Sequence, residues 1–182
     1  MSKQKFISYL LPVIIWTAFV SILHYNWYYN LIWLWLGSIV GSLLLQTDHL
    51  VYLIWQRPNE LTSVRFKSLW QQKRYKEAFL MVIQTVPERT RLSFHNVLFQ
   101  VVFIPFSLLV LTSTGNQFGV GMVMSLFLCL LVEQITLVLN NRYQELTTRF
   151  FWPVQKQFTI ETQKWYVVIM VFVFVLLNYF LL

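Results

Sequence analysis

Apolar positions fall into five long runs, and polar positions gather between them. The runs cover about 6–23, 31–55, 95–112, 118–140 and 165–182. A helix needs about 20 mostly apolar residues to cross the hydrocarbon core of a bilayer. The pattern predicts an all-α integral membrane protein, a single domain over 1–182 built as a bundle of about five transmembrane helices. Residues 61–86 read differently. Tyr75, Phe79, Val82, Ile83 and Val86 recur at helical spacing, with Lys73, Arg74 and Lys76 clustered before and around them. This predicts a cytoplasmic amphipathic helix lying among lipid headgroups. Thr85-Val86-Pro87-Glu88 has the form of a capping box. A helix is therefore expected from about Pro87 into the third run, carrying His95 about two turns inside it.

Composition narrows the class. Only 12% of residues are charged and 57% are hydrophobic, against about 25% charged in a soluble domain. Disorder and a simple soluble globule are excluded. The single cysteine, Cys129, excludes an intramolecular disulfide framework and any multi-cysteine metal knuckle.

Charge then orients the spans. All fourteen Lys and Arg lie before the first run, between the second and third, or between the fourth and fifth. The short links over 24–30 and 112–117 carry none. By the positive-inside rule the amino terminus is cytoplasmic and the carboxyl terminus external, in the cell (inner) membrane. The net charge of +7 reads as contact with anionic headgroups on the cytoplasmic side, not with nucleic acid. The basic, apolar start is expected to be an uncleaved span, because Tyr25, Trp27, Tyr28 and Tyr29 follow it where a cleavage site would need small residues.

Ionisable residues at membrane depth are costly and need a partner or a role. Asp48 and His49, His95, and Glu133 are the candidates, and the topology puts all of them toward the cytoplasmic side. His24 falls on the opposite face. Gly37 and Gly41 form a G-x-x-x-G, while Gly121, Ser125, Cys129 and Glu133 repeat every four residues. If these stripes pack in parallel, Asp48, eleven residues past Gly37, meets Glu133, twelve past Gly121. Two readings follow. Imidazoles and carboxylates are the usual ligands of Zn²⁺ or a similar divalent ion. Alternatively the cluster is a buried polar network, with Asp48 paired to Arg57 or Arg91 and Glu133 to His95 or Arg142. The chain holds no G-x-S-x-G, H-E-x-x-H or phosphate-cradling glycine loop.

The order of motifs resembles the membrane-bound metal-dependent hydrolases, a family also described as LexA-binding inner-membrane hydrolases. Its pattern is a small-residue helix ending in P-D-x-D-H, then H-R-x-x-T-H-S, then H-L-L-x-D, then a proline-bearing segment. Leu45-Gln46-Thr47-Asp48-His49 is similar to the first motif, with Gln46 at the leading aspartate. Thr90-Arg91-Leu92-Ser93-Phe94-His95-Asn96 is similar to the second, with Thr90 at the leading histidine. Cys129-Leu130-Leu131-Val132-Glu133 is similar to the third, with Cys129 for histidine and Glu133 for aspartate, and Trp152-Pro153 fits the last. The resemblance implies a divalent metal, zinc or manganese, on His49, His95 and Glu133. It also implies catalytic roles for Asp48 and Glu133 in hydrolysis at the cytoplasmic leaflet. The competing expectation is a non-catalytic structural or regulatory membrane protein. A transporter is disfavoured, since no charge lies at mid-membrane and no repeat pair is evident.

Overall fold

The computed structural model describes residues 3–23, 28–85, 89, 92–113, 115–154 and 158–181. Among these the chain is all-helical. Helix α1 spans Lys3–Leu23, and α2 spans Tyr28–Val51 and runs on into a π-helical turn, Tyr52–Gln56. Then come α3 (Leu61–Gln71), α4 (Tyr75–Gln84), α5 (Val97–Ser113), α6 (Gln117–Leu139), α7 (Tyr143–Phe150) and α8 (Ile160–Leu181). Three described stretches, Asn30–Gln56, Gln117–Leu139 and Ile160–Leu181, are long and apolar enough to cross a membrane. Leu10–Leu23 and Val97–Thr112 are apolar but shorter. The chain is thus a helical membrane protein. Its outward surface agrees: Ile15, Phe19 and Ile22 of α1 and Ile169, Phe172 and Val175 of α8 are exposed, as lipid-facing positions should be.

Helix α6 is the hub. It is apolar all round, the pattern of a helix enclosed on every side, and it packs against α1, α2, α5, α7 and α8. Its most extensive partner is α2. A Cβ added at Gly37 would lie 2.1 Å from the Phe118 carbonyl oxygen, and one at Gly41 would lie 2.2 Å from that of Met122. One at Gly121 would lie 2.3 Å from the Leu34 carbonyl oxygen. The backbones therefore touch, which only glycine permits at these positions. The contacts advance in the same sense along both chains, so α2 and α6 run parallel with the small-residue stripes face to face.

Polar bonds tie the rest of the bundle together. Trp16 Nε1 on α1 donates to Asn178 Oδ1 on α8 at 2.7 Å, and Trp35 Nε1 on α2 donates to Ser21 Oγ on α1 at 3.2 Å. Gln134 Nε2 on α6 donates to Gln100 Oε1 on α5 at 2.8 Å, and the Tyr166 hydroxyl on α8 donates to the same oxygen.

Three local expectations are revised. Over its described residues, 61–85, the 61–86 segment is a helical hairpin, not one helix, and Val86 lies outside the described residues. Helix α3 closes in a Schellman motif, with Lys73 N–H donating to the Trp70 carbonyl and Arg74 N–H to that of Leu69. Lys73 takes the left-handed conformation, φ 58°, usually given to glycine. The apolar arc of α4 is also wider than the stripe read from sequence. Ala78, Met81 and Val82 are buried against the protein, whereas Tyr75 and Phe79 are exposed. Finally, no helix runs through 92–96, which are bent. Thr85 instead ends α4, its hydroxyl donating to the Met81 carbonyl at 2.7 Å. Asn96 caps α5, its Oδ1 accepting from Phe99 N–H at 2.7 Å. Glu88, the far member of the expected capping box, and His24 lie outside the described residues.

Candidate functional site

Where α2 gives way to its π-helical turn, Asp48 is fully buried, 0% exposed. Its carboxylate is held by the bend before α5. Ser93 N–H donates to Oδ1 at 3.1 Å and Phe94 N–H donates to Oδ2 at 2.7 Å. Successive backbone N–H groups in a bend make a concave anion seat, which offsets the cost of enclosing the charge. The same bend swings His95 between α2 and α6. His95 Nδ1 lies 3.0 Å from Asp48 Oδ2, and Nε2 lies 3.2 Å from Glu133 Oε2. One imidazole therefore spans the two carboxylates that the parallel small-residue stripes bring to the same level.

Beyond Glu133 the chain of charges continues. Arg149 Nη1 on α7 donates to Glu133 Oε1 at 2.9 Å, and Arg149 Nη2 stands 3.9 Å from Glu145 Oε2. Arg142, one of the partners considered for Glu133, pairs with Glu145 instead. Phe150 packs edge-on to His95, ring centroids 6.3 Å apart. The Trp152 indole N–H donates to the Leu92 carbonyl at 3.3 Å, which ties the aromatic run after α7 to the bend that carries His95. His49 sits alongside, its ring centroid 5.9 Å from that of His95, and its Nδ1 is buried with no hydrogen-bond partner among the described residues.

All four residues singled out from sequence are thus near one another, and three of them are bonded in a row. Arg149 was missed. Its signal was available, since Glu145 and Arg149 are four apart on a short helix whose Leu146 and Phe150 face inward. In the sequence its charge is fully accounted for by topology.

The chemistry of the cluster follows from donor and acceptor counts. With both carboxylates ionised, each can only accept, and both bonds at His95 then form together only with the doubly protonated imidazolium. The row then alternates in sign, Asp48⁻, His95⁺, Glu133⁻, Arg149⁺, and is neutral as a whole. A metal ion instead needs several lone pairs converging on one point. Both His95 nitrogens and both Asp48 oxygens already face protein partners. Among the described residues no group of three or more His, Cys, Asp and Glu side chains is set to hold a metal ion. In this arrangement the donor set does not fit one. Cys129, which stands at the histidine position of the third motif, is buried and carries no disulfide.

Comparison with known proteins adds no relative: no family model, curated protein or solved structure matches the chain. The fold and site define a helical membrane protein with a buried row of charges joining α2, α6 and α7.

Proposed function

We propose that the chain is a five-span protein of the cell (inner) membrane, amino terminus cytoplasmic, whose Asp48–His95–Glu133–Arg149 row is a non-catalytic clamp. The clamp fixes the cytoplasmic ends of the spans and the links between them. The observation that carries this reading is the occupation of both His95 ring nitrogens by carboxylates at 3.0 and 3.2 Å. An imidazolium so held has no lone pair for a metal and no free edge for a substrate. The five-span count is supported by the two shorter apolar helices, which pack on α6 beside the long ones. The orientation is supported by the one-sided placement of Lys and Arg.

A metal-dependent hydrolase is the second reading. It is favoured by the buried, unpartnered Nδ1 of His49 beside His95, together with the motif order. Metal analysis of detergent-purified protein separates the two. The clamp predicts no stoichiometric zinc or manganese, and the same trace content in native protein and the His49→Ala, His95→Ala double variant. Stoichiometric metal that disappears in the double variant would establish the hydrolase-type site and remove the clamp.

A further inference from the structure

The α3–α4 hairpin stands apart from the main bundle. It has its own small core, in which Phe66, Ala78, Met81 and Val82 pack with Tyr52, Leu53 and Leu92. Those last three residues are the π-helical turn after α2 and the start of the bend that carries His95. The hairpin is therefore seated on the end of a membrane span by one face. Away from that seat the hairpin leaves apolar side chains uncovered among charged and polar ones: Leu61 is 81% exposed, Phe79 62% and Leu80 56%. Trp70 and Tyr75, both about half exposed, meet edge-on across the turn at 5.0 Å.

Charge identifies what covers these side chains. Residues 61–85 hold five Lys and Arg and one acidic residue, Glu77. Glu77 is already engaged by Arg74 at 2.6 Å. Lys67, Lys73 and Lys76 are exposed. Exposed apolar and aromatic side chains interleaved with lysines, on a helix joined directly to a span, match an anionic bilayer surface in both hydrophobicity and sign. A soluble acidic partner would satisfy the lysines but would leave unexplained why the uncovered apolar side chains begin where a span ends.

We propose that the α3–α4 hairpin docks on the anionic surface of the membrane that α2 crosses. Leu61, Phe79 and Leu80 enter the headgroup–acyl boundary, and Lys67, Lys73 and Lys76 meet lipid phosphates. Docking is an equilibrium that anionic lipid favours. Because the hairpin core includes Leu92, docking also bears on the bend that places His95. The assignment to the cytoplasmic leaflet rests on the orientation proposed above.

The test uses the full-length protein with Cys129→Ser and a spin label at Phe79→Cys or Leu61→Cys. It is reconstituted in phosphatidylcholine with or without phosphatidylglycerol. Relative collision with oxygen and with a water-soluble nickel chelate reads burial in lipid. With phosphatidylglycerol, oxygen access should dominate at both positions. The Lys67→Gln, Lys73→Gln, Lys76→Gln variant should lower the docked-to-undocked ratio about a hundredfold, from about fivefold per lysine near an anionic surface. Its thermal midpoint in detergent should stay unchanged, since these side chains face solvent. Nickel access dominating equally in both lipids would overturn docking and leave the five-span orientation standing. Labelling of position 73 from outside intact cells would instead overturn the orientation, and with it the cytoplasmic leaflet.

Discussion

At Glu133 two cations share one anion. His95 approaches Oε2 and Arg149 approaches Oε1, so Glu133→Ala leaves His95 with Asp48 alone and Arg149 with only the more distant Glu145, one positive charge in excess. Removing one partner of a buried ion pair costs about 3–5 kcal/mol, and the thermal midpoint in detergent should fall accordingly. His49 offers the opposite test. Its buried Nδ1 lacks a hydrogen bond among the described residues, and enclosing an unsatisfied polar atom is itself unfavourable. His49→Leu is therefore expected to leave the midpoint unchanged or raise it. A large fall that added zinc or manganese rescues in the native protein alone would mark His49 as a ligand instead. Asp48, His95 and Glu133 were legible in the sequence because ionisable groups in apolar runs demand partners. Arg149 was not, because a basic residue in a polar link has a sufficient explanation in topology.

Between elements, the contact of α2 with α6 makes the sharpest prediction, because neighbouring glycines of α6 differ. Alanine at Gly121 would place its Cβ 2.3 Å from a backbone carbonyl oxygen, so the helices must part. A Cβ at Gly119 would come no nearer than 3.3 Å to Val110 Cγ1, a side-chain atom with room to give. Overpacking of this kind costs about 1–3 kcal/mol, whereas alanine gains nearly 1 kcal/mol over glycine in a helix interior. Gly121→Ala should lower the thermal midpoint, and Gly119→Ala should hold or raise it. Equal midpoints would mean that the stripes do not meet. The parallel pairing itself was legible from the spacing of small residues. The breaks were not: α3 and α6 both end in Schellman motifs whose left-handed residues are Lys73 and Asn141, where a glycine would have announced the turn. Likewise Thr85 and Glu88 imitate a helix start, while the real cap, Asn96, gave no such signal.

Across the whole molecule, topology is open to direct measurement. In a Cys129→Ser background, single cysteines at Lys73 and Gly115 should label from opposite sides of the membrane, position 73 from the cytoplasm and position 115 from outside. Gly115 has no atom within 4 Å of an added Cβ, so the probe itself should not disturb the link. Labelling of both positions from one side would contradict the five-span arrangement. The apolar runs made the helical, membrane-spanning class readable, because lipid imposes composition on any span. The seating of the hairpin on the end of α2 was beyond reach, since it depends on contacts between segments with no common periodicity.

The indole of Trp16 and the amide of Asn178 are separated by 162 residues. A ribosome working at about 5–20 residues per second needs roughly ten to thirty seconds to travel between them. Throughout that interval the first helix is already made while its hydrogen-bond acceptor on the last does not exist. In the proposed five-span arrangement, protein quality-control machinery that senses exposed polar groups within the bilayer has a window of that length in which the nascent chain differs from the finished one. The window closes only when α8 arrives beside α1.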